Sequence, residues 1–292
     1  MPADSTAFED YVAPARARPE LWRLILGLVL GLGVYAGGLV LYFSLLGSAM
    51  GVASTSWLVD VATRSERPFG TLVLLGSFIA MAAAPMLLAP VLHQRRIATL
   101  IGPLRQAARD FGRVALATAA VLAGALVFWA LAYDVTPNVD FGQWAVLVPL
   151  GLAGVLVQTG AEELVFRGYI VQQLAARFRS PLIWGVVPAV GFGLLHRDPT
   201  MGTETWHLVL ATTIFGLIAT DLTARTGTLG AAWGMHFTNN AGAILILSTE
   251  GNISGLSLFG TPFLPGTSGW QVVFDCVALL VAWRLARRFL AR

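Results

Sequence analysis

The chain is 292 residues long, 56% hydrophobic and only 12% charged, with a mean hydropathy of +0.72. Soluble domains carry about 25% charged residues, so this composition excludes a soluble globular protein and points to an all-α, polytopic bundle of transmembrane helices. The formal charge of +3 is carried by arginine with no lysine and no dense basic tract, which argues against a nucleic-acid partner, and the single cysteine, Cys276, excludes an intrachain disulfide or a cysteine-based zinc cluster.

Residues 1–20 are polar and mixed in charge; they read as a cytoplasmic tail, disordered or lying on the surface, with no cleavable signal peptide. The first expected span is Leu21–Leu46, and a polar loop with Asp60, Arg64, Glu66 and Arg67 leads to the second, Phe69–Leu92. A basic stretch follows with Arg95, Arg96, Arg105, Arg109 and Arg113, in which Pro103–Gly112 reads as a short amphipathic helix at the membrane interface. The third span is Val114–Tyr133, and the loop after it carries Asp134 and Asp140. Residues 21–143 are thus expected as an N-terminal set of transmembrane helices.

Residues 144–247 read as the core. Its spans are Trp144–Ala176, interrupted by Pro149, then Pro181–His196, Trp206–Ala224 and Leu229–Leu247. A loop with Glu250 and a last span at Trp270–Leu285 make up residues 248–292, with Arg284, Arg287, Arg288 and Arg292 at the end. With eight spans, arginine concentrates on one side of the membrane and the loops at 48–68, 134–143, 197–205 and 248–269 on the other side are neutral or acidic, which predicts a multi-pass protein of the plasma (inner) membrane with both termini in the cytoplasm. Trp206, Trp233, Trp270 and Trp283 fit an interfacial aromatic belt, and Asp221 is expected to pair with Arg225.

The stretch Glu162-Glu163-Leu164-Val165-Phe166-Arg167 puts two acids and an arginine inside an apolar run, where ionisable groups are costly and call for a function or a partner. Glu163 and Arg167 are four apart and share a helix face, whereas Glu162 lies about 100° around the helix. Glu163 is therefore the expected structural partner of Arg167, and Glu162 the freer carboxylate. Phe192 and His196 share one face of the next span, as do His236 and Asn240 two spans later, with Asn239 pointing elsewhere. Helix rise puts Glu162, His196, His236 and Asn240 within about 11 Å of one depth, which permits a shared site. The competing structural reading has both glutamates paired with arginines, His196 at its span end as an interface or packing residue, and the polar residues of the His236 span as interhelical glue.

A carboxylate can activate water, a histidine can assist proton transfer, and a His/Asn pair can stabilise an oxyanion, a set suited to amide hydrolysis without a covalent intermediate. Alternatively Glu162, His196 and His236 could hold a divalent zinc, although no HExxH is present and no cofactor is required by the residue types.

Taken together, Glu162-Glu163-x-x-x-Arg167, Phe192-x-x-x-His196 and His236-x-x-x-Asn240 resemble the three motifs of the CPBP (CAAX protease and bacteriocin-processing, or ABI) family of intramembrane proteases, which includes the type II CAAX prenyl endopeptidases. The resemblance implies a membrane-embedded endopeptidase acting on a peptide or membrane-protein substrate. It assigns Glu162 and His196 to water activation, His236 and Asn240 to the oxyanion hole, and Glu163, Arg167 and Phe192 to support. A proton-coupled transporter using the acids and histidines as a relay, or a non-catalytic membrane scaffold, are the alternatives; the polar residues cluster in the second half only, which speaks against the inverted repeats of a transporter.

Overall fold

The computed structural model describes residues 6–52, 55–249, 253–261 and 269–290, with the side chains of 269–271 excepted, so Glu250, Arg292 and the indole of Trp270 lie outside the described residues. The chain is an all-α membrane bundle. Its helices are α1 (Thr6–Val12), α2 (Leu21–Ala49), α3 (Thr55–Thr63), α4 (Pro68–His93), α5 (Leu104–Ala132), α6 (Phe141–Glu163), α7 (Gln172–Arg177), α8 (Val187–Leu194), α9 (Thr205–Thr226), α10 (Gly230–Ala241) and α11 (Gly269–Leu290). π-helical turns continue α6 into α7 (Leu164–Val171), open α8 (Leu182–Val186) and extend α10 (Gly242–Ile246).

Every apolar run expected as a span is helical. Among the described residues, five stretches are long and apolar enough to cross a membrane: Leu21–Ala49, Pro68–His93, Ile97–Ala132, Phe141–Arg177 and Pro199–Thr226. Leu182–Leu194 is a shorter apolar helix, roughly 20 Å long against a hydrocarbon core of about 30 Å. α2 shows why these sequences need lipid: Val29, Leu32, Val40 and Leu45 are all exposed on its surface.

Four local expectations are corrected. The N-terminal segment is no loose tail: α1 and the 3-10 turn Ala13–Ala17 bury Phe8, Tyr11, Val12 and Ala15, an i, i+3, i+4, i+7 stripe that intervening charges disguise in the sequence. The expected amphipathic helix Pro103–Gly112 is the first third of α5, because Gly112 alone does not stop a helix extended on both sides; Arg105, Arg109 and Arg113 form its exposed stripe. Pro149 does not interrupt α6, which is helical from Phe141 to Glu163. Trp233 is no belt residue: its indole lies over Gly160 inside the bundle and donates to Thr159 Oγ1 at 3.1 Å.

The core helix α10 packs against α5, α6 and α9. Its approach to α5 is set by Gly230 and Gly234, where a Cβ would lie 1.9 Å from the Ala107 carbonyl oxygen and 2.4 Å from that of Phe111. Small residues four apart let two backbones touch, and neither helix has slack to give. On the far side, α9 pairs Asp221 with Arg225 at 2.7 Å as its spacing predicts, and the Trp283 indole of α11 donates to the same carboxylate at 2.9 Å. One end of the bundle carries a small sheet in the order β1 (Thr136–Pro137), β3 (Phe259–Thr261), β2 (Leu247–Thr249), antiparallel then parallel, with Thr136 opposite Gly260 and Leu247 opposite Phe259.

The π-helical turn after α6 is clamped from the N-terminal side. Tyr11 donates to the Leu100 carbonyl at 2.7 Å and lies 3.4 Å from that of Arg167, while Arg95 bonds the Gly168 carbonyl at 2.9 Å and the Gln172 amide oxygen. Burial pushes the Arg95 guanidinium down to about 10, which leaves it cationic at neutral pH.

Replacing Gly230 by valine must separate α10 from α5, since the obstacle is backbone; a loss of about 1–3 kcal/mol or more is expected, read as a lower thermal unfolding midpoint in detergent. Gly124→Ala on α5, where nothing lies within 4 Å of the added carbon, is expected to leave the midpoint unchanged or slightly raised.

Candidate active site

The last turn of α6 delivers Glu162 and Glu163, the following π-helical turn delivers Arg167, and α10 delivers His236 and Asn240. π-helical turns inside α-helices widen the backbone and recur at functional sites. Glu163 is 0% and Arg167 1% exposed, and their charges meet at 3.0 Å between Arg167 Nη1 and Glu163 Oε1, the pair that the four-residue spacing predicts. Arg167 Nη2 reaches the Gly216 carbonyl at 3.4 Å. Its guanidinium carbon lies 4.9 Å from the Phe192 ring centre and 5.6 Å from that of Phe215, a cation–π cage that excludes water from the pair.

His236 stands between the two glutamates. Its Nδ1 is 2.8 Å from Glu163 Oε1 and its Nε2 is 3.5 Å from Glu162 Oε2, with the Phe215 ring centre 4.6 Å from its own. Glu163 Oε1 thus serves Arg167 and His236 together, a convergence that helical spacing does not reveal. Two buried carboxylates against one guanidinium leave one formal negative charge beside the His236 imidazole. Glu162 Oε1 accepts from Gln158 Nε2 at 2.6 Å, and Gln158 Oε1 accepts from Asn240 Nδ2 at 3.0 Å. Glu162 Oε2 makes no hydrogen bond among the described residues.

The structure therefore brings Glu162, Glu163, Arg167 and His236 into direct contact and joins Asn240 to them through Gln158. His196 is not in that contact set. Its Nδ1 lies 2.8 Å from the Phe192 carbonyl, and the Phe192 ring touches both imidazoles, with its centre 4.7 Å from that of His196 and 6.0 Å from that of His236. A nitrogen facing a carbonyl must be the protonated one, so in the neutral ring Nε2 is the lone-pair nitrogen. Among the described residues the Asn239 side chain bonds its neighbour Asn240, at 3.3 Å. Gln158 and Phe215 are absent from the expected set. Gln158 had a signal, standing four residues before Glu162 in an apolar run; Phe215 had none, as one aromatic among many in α9.

Among the described residues no three His, Cys, Asp or Glu side chains are grouped to hold a metal ion, and His236 turns both nitrogens to carboxylates.

Comparisons with known proteins agree with the motif resemblance. Residues 141–242 match the family model described as type II CAAX prenyl endopeptidase Rce1-like, and this span contains α6 through α10 with all the motif residues. The chain is also similar to the uncharacterized protein YyaK of Bacillus subtilis strain 168, at 25% identity over 285 residues, or 93% of each chain. No solved structure matches the chain.

Removing one partner of the buried pair strands the other. Arg167→Met is expected to cost about 3–5 kcal/mol, seen as loss of folded yield or a large drop in the unfolding midpoint, and Arg167→Met with Glu163→Gln to recover most of it. Arg64→Met, which breaks the exposed Asp60 pair, is expected to change stability by less than about 1 kcal/mol.

Proposed function

We propose that this protein is an intramembrane endopeptidase that hydrolyses a peptide bond in a membrane-associated protein or peptide. The observation that carries the reading is the Glu162 carboxylate. It is buried within the apolar stretch Phe141–Arg177, held on one oxygen by Gln158, and among the described residues has its other oxygen free of hydrogen bonds beside His236. The match of residues 141–242 to an endopeptidase family supports it independently.

In this reading Glu162 takes a proton from a water, and the resulting hydroxide attacks the scissile carbonyl. The oxyanion draws on donors already at the site. A protonated His236 presents Nε2–H toward Glu162 Oε2 at 3.5 Å, too long for a strong hydrogen bond, so turning it to an oxyanion sacrifices little. Asn240 Nδ2, now on Gln158, is the second donor. The C–N bond then breaks as Glu162 passes its proton to the leaving amine. His196, with Nε2 as acceptor, orients the attacking water when substrate closes the gap beside Phe192. Glu163 and Arg167 act by holding His236 in place rather than by touching substrate. Peptide, lipid bilayer and water suffice as partners, with no metal step. The arginine distribution supports an orientation with both termini cytoplasmic in the plasma membrane.

Glu162→Gln keeps shape and hydrogen bonding but removes the base, so cleavage is expected to fall by a factor of about 10² to 10⁴ with insertion and unfolding midpoint preserved; His196→Ala is expected to be similarly inactive. Comparing the peptides in membranes bearing wild-type protein with those bearing Glu162→Gln identifies the uncut substrate, and full activity of the variant on it would sink the assignment. Cleavage is also expected to survive chelation at an unchanged rate; a loss that zinc restores would overturn the metal-free mechanism.

A further inference from the structure

A cavity of about 520 Å³ opens where the N-terminal segment meets the end of α7 and the start of the next helix, and none of its lining residues belongs to the Glu162 cluster. We propose that it binds the phosphate-bearing headgroup of an anionic phospholipid. Its size lies within the range of about 300–1,000 Å³ typical of small-ligand sites.

The lining is part aromatic and part charged. Phe8 and Trp184 supply apolar surface, with ring centres 4.7 Å apart, and the Trp184 indole N–H donates to the Arg179 carbonyl at 3.4 Å. The same lining holds Arg16, Arg177 and Arg179 with a single acid, Glu9. Glu9 is engaged by Arg16 in an ion pair. Arg177 and Arg179 are exposed and have no acidic partner among the described residues, so the rim keeps two uncompensated positive charges. Arginine forks match phosphate oxygens, and a phosphodiester supplies the charge this rim lacks.

Position selects a lipid over a soluble anion. The segments framing the cavity run directly into apolar helices: α2 begins at Leu21, next to Trp22, and the helix after α7 begins at Leu182, and all three side chains are exposed. The cavity therefore sits at the level where lipid-facing surface ends, which is where headgroups lie, with an aromatic wall suited to the glycerol and first methylenes. It also lies on the arginine-rich face, where basic residues attract anionic lipid at about 1 kcal/mol each, or about fivefold in affinity.

The test uses the full chain in neutral detergent, titrated with short-chain phosphatidylglycerol, short-chain phosphatidylcholine or inorganic phosphate, and followed by thermal unfolding. Phosphatidylglycerol is expected to raise the midpoint with concentration and the other two to leave it unchanged. Arg177→Gln with Arg179→Gln is expected to weaken the lipid effect by more than about tenfold, the lysine versions to retain part of it, and Arg64→Gln with Arg67→Gln, a charge-matched control in the 48–68 loop, to retain all of it. An equal response to phosphatidylcholine, or an undiminished response in the Arg177/Arg179 double variant, overturns the site. A matching response to inorganic phosphate overturns its assignment to lipid in favour of a free anion. Should the glutamine variant fold poorly, native mass spectrometry is expected to find phosphatidylglycerol co-purifying with the wild type and the Arg64/Arg67 control and in smaller amount with the lysine variant; its absence from the wild type overturns the proposal.

Discussion

Two carboxylates, a guanidinium and an imidazole must each keep a partner inside an apolar bundle, and the architecture of the site is organised by that requirement. A lone charge at this depth costs several kcal/mol, and removal of any partner exposes the remainder to that cost. Arg167 settles on Glu163 and His236 bridges to Glu162, so the four groups form one unit. The rings of Phe166, Phe192 and Phe215 surround the arginine and withhold the water that would otherwise screen it. The same dryness strengthens any charge that develops beside Glu162 during a reaction.

Such a cluster is useful only if its carriers are rigid. α10 carries His236 and Asn240, and it is seated on α5 through backbone contact at Gly230 and Gly234. In lipid there is no hydrophobic drive between helices, so close packing of small residues supplies the attachment. Trp233 adds a lateral tie from α10 to Thr159 of α6, one turn from Glu162. The π-helical turn bearing Arg167 is fixed from behind by Tyr11 and by Arg95, and Tyr169 from that turn bonds His93 at 2.8 Å. The N-terminal segment is in this sense part of the support for the site, and it also supplies one wall of the basic cavity.

The membrane class, the helical runs and the polar motifs were legible in the sequence because each rests on a local signal. Apolar length announces a span, and i, i+4 spacing puts Glu163 with Arg167 and His236 with Asn240 whatever surrounds them. The N-terminal helix was not legible, because four apolar residues in a charged stretch gain nothing until a groove exists to receive them. The unity of α5 was hidden for a similar reason: a change from basic to apolar composition resembles a boundary, yet it only marks where the helix enters lipid.

What the sequence by itself determined is the inventory: which helices form, which polar residues enter the membrane, and which of them share a helix face. Only the tertiary structure decided the partners across helices. It gave Glu163 to His236 as well as to Arg167, put Gln158 between Glu162 and Asn240, and set the Phe192 ring against both His196 and His236. The physical reason is that the helical repeat fixes directions within one helix, whereas the rotation and depth of one helix against another are set by packing, here by glycine contacts between α10 and α5 that seat His236 and Asn240 far along the chain from the glutamates.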